Sequence, residues 1–213
     1  ESESRGLGDV YKRQILLETR AIKLSPDQPF KWSSGWNSPI YCDNRTVLSH
    51  ATYRKEIKEM LSEKIKQYYP DADTIVGVAT AGIAMGALIA DELNLSYAYC
   101  RPEPKSHGLK RQLEGSVAED AKIVVLEDLI STGESSLKVV NYLRSEGYDI
   151  LGMAAIFTYG FSVAAANFEA ANCACITLCN YSSMIQEAVA SGYVQATDLD
   201  KLAQWREGPD TWG

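Results

Sequence analysis

The chain has 213 residues, of which 46% are hydrophobic and 23% are charged, and its net charge is −7. These values are ordinary for a globular protein, and the length suits one large α/β domain with a substantial core. The negative charge argues against nucleic-acid binding, which depends on clustered Lys and Arg. Without an apolar run of membrane-spanning length or a signal-peptide pattern, we expect a cytoplasmic protein that does not enter a membrane.

The pattern of the chain predicts an α/β fold. Residues 1–14 show no period continuous with the helical pattern after them, and we interpret them as a non-native segment that precedes a single domain over 15–213. Helical periodicity begins near Ile15 and fades at Pro26, and 30–45 is aromatic and turn-rich. A second helix is expected over about 50–68. Its buried face is predicted to carry Ile57, Leu61, Ile65 and Tyr68.

Strands and helices then alternate, which indicates a parallel sheet covered by helices on both faces. In such sheets ligands bind at the carboxyl ends of the strands. The predicted strands are 74–78, 97–101, 123–126, 150–157 and 175–178. The predicted helices are 82–93, 135–146, 162–171, 184–190 and 198–207.

Cysteine usage indicates a reducing compartment. The chain has five cysteines with no disulfide-framework spacing: Cys42, Cys100, Cys173, Cys175 and Cys179. The last three suggest a metal cluster at first sight, but residues 175–179 alternate like a strand and both histidines are far away in sequence. We therefore do not expect zinc.

The segment over 123–135 carries the main chemical signal. Apolar residues of a buried strand lead into Glu127 and Asp128, then into a turn of small and hydroxyl residues, then into a helix. Backbone N–H groups converge at such a turn and, with the helix dipole, favour an anion such as phosphate. Carboxylates beside it can accept hydrogen bonds from sugar hydroxyls or hold a hydrated cation. The ligand is therefore expected to be a ribose phosphate.

This segment resembles the phosphoribosyl-diphosphate motif of the type I phosphoribosyltransferases. The resemblance implies the parallel-sheet fold of that family, with a small N-terminal hood that we place mainly at residues 15–48. It implies that the two acids bind the ribose hydroxyls and that the following loop wraps the 5′-phosphate. The implied donor-binding residues of the motif are Glu127, Asp128, Leu129, Ile130, Ser131, Thr132, Gly133, Glu134 and Ser135.

A second strand-to-helix turn follows Val78 and contains Thr80, Ala81 and Gly82. Small residues at such a turn often serve close packing, but the turn also forms an anion nest at a helix N-terminus. Its spacing ahead of the main motif matches the loop that holds the pyrophosphate of the donor in this family. Some relatives have a lysine where Ala81 stands, so that contact is absent here.

A long loop over about 102–115 collects positive charge on an otherwise acidic chain. We expect it to be a mobile lid that brings cations to a pyrophosphate leaving group, where charge develops in the transition state. The alternative is a solvated surface loop. The cations at the start of the loop and within it are Arg101, Lys105, His107, Lys110 and Arg111.

The pattern Arg101-x-x-x-Lys105-x-His107-Gly108, together with Ser-Gly-x-x-Ser-Pro-Ile-Tyr-Cys-Asp-Asn-Arg ending at Arg45, is similar to the orotate-using branch of the family. The resemblance implies that Arg101, Lys105 and His107 contact the donor from the neighbouring subunit of a homodimer. It also implies that Ser131 touches orotate. Pro102 and Ser33 replace lysines of some relatives, which removes catalytic roles at those positions.

The expected activity is transfer of a phosphoribosyl group from its 1-diphosphate (PRPP) to orotate. Asp128, Glu127 and Lys105 are the predicted catalytic residues, and Mg²⁺, held mainly through the donor diphosphate, is the expected cofactor. Two alternatives stay open at this point. One is a purine salvage phosphoribosyltransferase, and the other is a non-catalytic regulator that senses the donor.

Overall fold

The computed structural model describes residues 11–32, 35–104 and 112–212. Lys105, His107, Lys110, Arg111 and Ser33 lie outside these ranges. The strands are β1 (Ile22–Leu24), β2 (Phe30–Lys31), β3 (Asn37–Ser38), β4 (Ile40–Cys42), β5 (Thr74–Val78), β6 (Ser96–Cys100), β7 (Leu113–Glu114), β8 (Lys122–Ile130), β9 (Asp149–Thr158) and β10 (Cys175–Asn180).

The helices begin with α1 at residues 11–18. The others are α2 (Ala51–Tyr68), α3 (Gly82–Leu93), α4 (Glu134–Ser145), α5 (Ser162–Ala170), α6 (Tyr181–Ala190) and α7 (Leu199–Glu207), with short 3₁₀ helices at Asn44–Ser49 and Ala196–Asp198. In the described part of the chain, no helix combines the length and the apolar character needed to cross a membrane.

A six-stranded sheet forms the centre of the molecule, in the order β10-β9-β8-β5-β6-β7. Its first five strands are parallel, and the short β7 pairs antiparallel with β6. Buried side chains form a separate cluster on each face, so the predicted parallel sheet with two covered faces is confirmed. β5 and α3 coincide with their predicted bounds.

The hood lies over one face of this sheet and consists of two small antiparallel pairs, β1 with β4 and β2 with β3. Its apolar residues, including Ile22, Ile40 and Val47, belong to the same core cluster as α6 and α7. The Trp205 indole on α7 donates a hydrogen bond to the Asn37 carbonyl oxygen (3.1 Å). The C-terminal helix α7 thereby stabilises the hood through this hydrogen bond and the shared core cluster.

Two predictions near the N-terminus are wrong. The first helix ends at Glu18, and the predicted helical residues beyond it form β1, because Arg20 has a left-handed φ of 55° that turns the chain. The helix also includes residues 11–14, where the sequence showed no continuous period. Arg13 and Gln14 donate hydrogen bonds to the Ser183 carbonyl and to the Glu187 carboxylate. The non-native origin of residues 1–14 stays a prediction.

The predicted buried face of α2 is correct for Ile57, Leu61 and Ile65 and wrong for Tyr68, which is 55% exposed. Tyr69 is buried in its place. Its hydroxyl donates to the carbonyl oxygens of Met153 and Ala174, both at 3.2 Å. Gly152 makes room for this ring, because a Cβ there would lie 2.4 Å from the tyrosine oxygen.

The cysteines are distributed over both faces of the sheet. All five lie within the described residues and keep their thiols. Cys173 and Cys175 pack with the cluster under α4 and α5, whereas Cys179 packs with the cluster on the hood side.

Candidate active site

The acid pair lies inside β8 rather than beyond its end. The strand was predicted to stop at 126, but it continues to Ile130 because β9 extends the ladder, with Leu129 opposite Phe157 and Ile130 opposite Thr158. Successive side chains of a strand point to opposite faces. Glu127 and Asp128 therefore have different surroundings.

Glu127 faces α4 and is 7% exposed. One of its carboxylate oxygens accepts from the Asp128 backbone N–H (3.0 Å), and the other accepts from the Ser136 hydroxyl (2.9 Å). Burial raises the pKa of Glu127 well above its usual range, and the negative charge of Asp128 raises it further. Glu127 therefore ties the acid strand to the first turn of α4.

Asp128 faces the hood. Burial raises its pKa, while the hydrogen bond with Glu127 and the positive charge of Arg45 lower it. The Asn44 side-chain amide donates to the Asp128 carbonyl oxygen (2.7 Å), and the Cys42 thiol donates to the amide oxygen of Asn44 (3.4 Å). A carbonyl can only accept, so the amide orientation of Asn44 is fixed. The hood is thus joined directly to the acid strand.

Residues 131–135, the predicted phosphate loop that we call the phosphate loop, follow β8 and include the first two residues of α4. Gly133 adopts a left-handed φ of 80°. It lies against the ring of Phe168 on α5, so closely that a Cβ would be 2.7 Å from the ring. Asn167 donates from its amide to the Thr132 carbonyl oxygen (2.9 Å). Contacts from two residues of α5 therefore stabilise the loop.

The N–H groups of this loop remain available to a ligand. Among the residues that the structure describes, no acceptor is found for the backbone N–H of Ser131, Thr132 or Gly133. Unpaired N–H groups at a helix N-terminus can bind an anion, so the predicted phosphate site at this loop stays a prediction that this geometry allows. Glu134 and Ser135 begin the helix, with Glu134 in its first turn. Ile130 is buried and Leu129 packs against the core, so those two residues offer mainly backbone groups.

The second loop, with Thr80 and Ala81, lies next to the acid strand because β5 pairs with β8, with Gly77 opposite Leu126. A Cβ on Gly82 would lie 2.5 Å from the Leu126 carbonyl oxygen, so only glycine permits this approach. The small residues serve close packing here. That packing brings the predicted pyrophosphate loop beside Glu127, as the proposed role requires.

Hydrogen bonds join the two ends of the predicted lid, and we call these ends the lid stem. The backbone N–H of Arg101 donates to the Gln112 carbonyl oxygen (3.0 Å), and the Gln112 amide donates to the Arg101 and Pro102 carbonyls (2.9 and 3.1 Å). The Arg101 guanidinium lies 3.9 Å from Glu114 and above the ring of Tyr99. Lys105 and His107 lie outside the described residues, so their predicted contacts stay predictions.

Sequence reasoning missed three parts of this site. Asn44 was noted only as part of a recognition pattern, and Ser136 and Phe168 were not singled out. Asn44 is separated from Asp128 by 84 positions, and its contact arises from tertiary packing. Ser136 offered a usable signal, since a hydroxyl at the start of a helix can reach back to a carboxylate of the preceding strand.

The fold and the site define the class of protein. Residues 44–191 match the family model of the phosphoribosyl transferase domain, and the chain belongs to the phosphoribosyltransferase family. Within this family, the chain is similar to orotate phosphoribosyltransferases. That of Cytophaga hutchinsonii is 52% identical over 205 residues, which cover 95% of this chain and 98% of the relative.

Solved structures agree with this placement. The orotate phosphoribosyltransferase of Aeropyrum pernix aligns with a TM-score of 0.75 and 26% identity, covering 86% of this chain and 99% of the other. The UMP synthase of Leishmania donovani aligns with a TM-score of 0.78 over 92% of this chain and 42% of its own length. Because the two sequences are only 20% identical, this structural alignment shows a shared fold and nothing about activity.

Proposed function

We propose that the protein transfers the 5-phosphoribosyl group of PRPP to N1 of orotate, giving orotidine 5′-phosphate and pyrophosphate in pyrimidine biosynthesis. The observation that carries the proposal is the meeting of the Asp128 carboxyl, the loop over 131–135 and the hood at one sheet edge. The same chain is 52% identical to an orotate phosphoribosyltransferase. The fold by itself would not identify which base accepts the phosphoribosyl group.

Asp128 is the residue we assign to the ribose hydroxyls and to the positive charge that develops on the ring. Breaking the bond between C1 and the leaving oxygen passes through an oxocarbenium-like state, as in glycoside transfer. A carboxylate near that ring lowers the energy of the charge as it develops. Glu127 shares the hydroxyls in this proposal and also fixes the strand through Ser136. Anionic orotate needs little activation, so no strong base is required.

The loop 131–135 is assigned to the 5′-phosphate, and the loop with Thr80, Ala81 and Gly82 to the pyrophosphate. Ser131, at the junction of the phosphate loop with β8, is assigned to orotate in this proposal. Arg101, Lys105 and His107 are assigned to the leaving group. In this proposal the lid closes over the site of a partner subunit in a two-fold dimer. The position of Arg101 in the lid stem supports the assignment to the leaving group, because it brings a cation to the same edge of the sheet.

Mg²⁺ is the proposed cofactor. Across the described ranges, no cluster of three His, Cys, Asp or Glu side chains could hold an ion unaided. The oxygens of PRPP would therefore supply most ligands, with Asp128 nearby, which suits an ion that binds through substrate phosphates and water. When bound, it would neutralise charge on the diphosphate. We also propose a cytoplasmic location, supported by the five thiols.

The test is base depletion by the purified protein with PRPP and Mg²⁺, using orotate, adenine, hypoxanthine and uracil in parallel. The proposal predicts consumption of orotate and little of the others. Consumption of a purine instead would identify a salvage enzyme. If PRPP bound tightly while no base were consumed, the protein would be a sensor rather than an enzyme.

A further inference from the structure

Tyr159 occupies a position beside the acid pair to which the proposed reaction has so far given no role. It directly follows β9, and its backbone N–H donates to the Ile130 carbonyl oxygen (3.1 Å) at the end of β8. Its side chain packs in the hood-side cluster. Tyr159 therefore lies at the carboxyl edge of the sheet, on the face that Asp128 shares with the hood.

The ring of Tyr159 is enclosed by four aromatic side chains and is 2% exposed. The ring centroids of its neighbours lie between 5.1 and 5.6 Å away, and these neighbours are Trp32, Phe157, Phe161 and Trp205. Trp32 comes from the hood and Trp205 from α7. Because the ring has no room to turn aside, the position of its hydroxyl is set by the fold.

The hydroxyl of Tyr159 has no hydrogen-bond partner among the residues that the structure describes. The other two buried tyrosines of the described ranges do have one: Tyr69 donates to the Met153 carbonyl oxygen (3.2 Å) and Tyr181 to the Leu202 carbonyl oxygen (2.9 Å). Buried tyrosine hydroxyls normally find a partner, because an unpaired polar group is costly. The Tyr159 oxygen is not one of the fully buried unpaired atoms among the described residues, so it keeps a small accessible surface at which a molecule outside the chain can accept its hydrogen bond.

The surroundings of the hydroxyl identify the kind of partner. Burial raises the pKa of Tyr159 well above its usual range, and the nearby Cys42 and Asp128 raise it further. The group therefore stays protonated and acts as a donor, within electrostatic reach of the acid that we assign to the ribose. Phe168, which supports the phosphate loop, belongs to the cluster on the other face of the sheet, so the aromatic cage of Tyr159 is separate from the support of that loop.

We propose that the Tyr159 hydroxyl donates a hydrogen bond to an oxygen of the pyrimidine acceptor and contributes to recognition of the base. This inference rests on the proposed function, because it presumes that a pyrimidine is bound beside the ribose. The carbonyl and carboxylate oxygens of such a base accept hydrogen bonds and therefore suit a fixed donor. Tyr159 is thereby a specificity-determining residue for the acceptor.

The test is Tyr159→Phe, which removes only the hydroxyl and keeps the aromatic cage. The KM for orotate should rise roughly 10- to 100-fold, the range expected for losing a hydrogen bond to a charged ligand. The KM for PRPP should stay within about two-fold of the parental value, because the substitution removes no contact with PRPP. The melting temperature should not fall, since no hydrogen bond within the protein is lost.

Tyr181→Phe is the matched control. It removes the hydrogen bond to Leu202 and should lower the melting temperature while leaving the KM for orotate unchanged. An unchanged KM for orotate in Tyr159→Phe would overturn the inference, and so would a rise confined to PRPP.

Direct binding separates this inference from the proposed function. The parent protein should bind orotidine 5′-phosphate more tightly than ribose 5-phosphate, and Tyr159→Phe should weaken only the former. If the parent showed no preference for orotidine 5′-phosphate, the proposed function itself would fail. If the preference were present and equally strong in Tyr159→Phe, only the role of Tyr159 would fail.

Discussion

Replacing Gly133 by alanine tests the architecture of the phosphate loop. Gly133 has a φ of +80°, and an added Cβ would lie 2.7 Å from the Phe168 ring, where ordinary carbon contacts are about 3.5–4.0 Å. A left-handed φ on a residue with a Cβ costs roughly 1–2 kcal/mol. Forcing an extra carbon into a packed site adds about 1–3 kcal/mol. We therefore expect Gly133→Ala to lower the free energy of unfolding by about 2–5 kcal/mol.

Gly147→Ala supplies the matched control. Gly147 also has a left-handed φ, of +94°, but an added Cβ would meet nothing within 4 Å, so only the conformational cost of about 1–2 kcal/mol applies. Urea unfolding followed by tryptophan fluorescence measures both variants, and the KM for PRPP should rise in Gly133→Ala alone. Adding Phe168→Leu to Gly133→Ala should recover part of the lost stability. Equal losses in the two glycine variants would refute the proposed contact between Phe168 and the loop.

Three further predictions concern the assigned catalytic groups. Asp128→Asn should reduce turnover far more than it reduces the melting temperature, because it removes charge at nearly constant shape; parental activity would exclude the role given to Asp128. Lys105→Ala should lower kcat strongly and leave orotate binding nearly intact, since the lost charge acts on the leaving group in the transition state; a change confined to the KM for orotate would place the lid on the other substrate. Mixing these two variants under verified subunit exchange should restore about one quarter of parental activity, because half of the random dimers hold one intact shared site. No recovery would mean that each subunit closes its lid over its own site.

The sequence predicted the sheet and most helices because their signals are local. β5 and α3 were placed correctly, since β-branched residues and a small-residue turn mark the strand and the start of the helix. The hood strand β1 was taken for helix, because three residues of alternation are too few to distinguish two periods. Tyr68 and Tyr69 could not be told apart either. Gly152 makes room for the Tyr69 ring, and the Met153 and Ala174 carbonyls accept from its hydroxyl, but these residues lie far away in sequence.

The candidate site shows the same division. The acid pair and the phosphate loop were found because they are contiguous in sequence. The hydrogen bond of Asn44 to Asp128 and the packing of Phe168 on Gly133 join segments far apart in the chain, and no local pattern indicates them. The extension of β8 past the acids was missed for a related reason. Its last residues stay in the sheet because β9 pairs with them.

The central claim is that the edge formed by Asp128, the phosphate loop and the hood transfers a phosphoribosyl group to orotate. Its most direct measurement is the stoichiometry of the reaction with PRPP and Mg²⁺, followed for the parent protein and for folded Asp128→Asn. The account predicts that the parent forms one orotidine 5′-phosphate and one pyrophosphate for each orotate consumed, and that Asp128→Asn loses most of this turnover. Pyrophosphate release without orotidine 5′-phosphate, or undiminished turnover in Asp128→Asn, would contradict it.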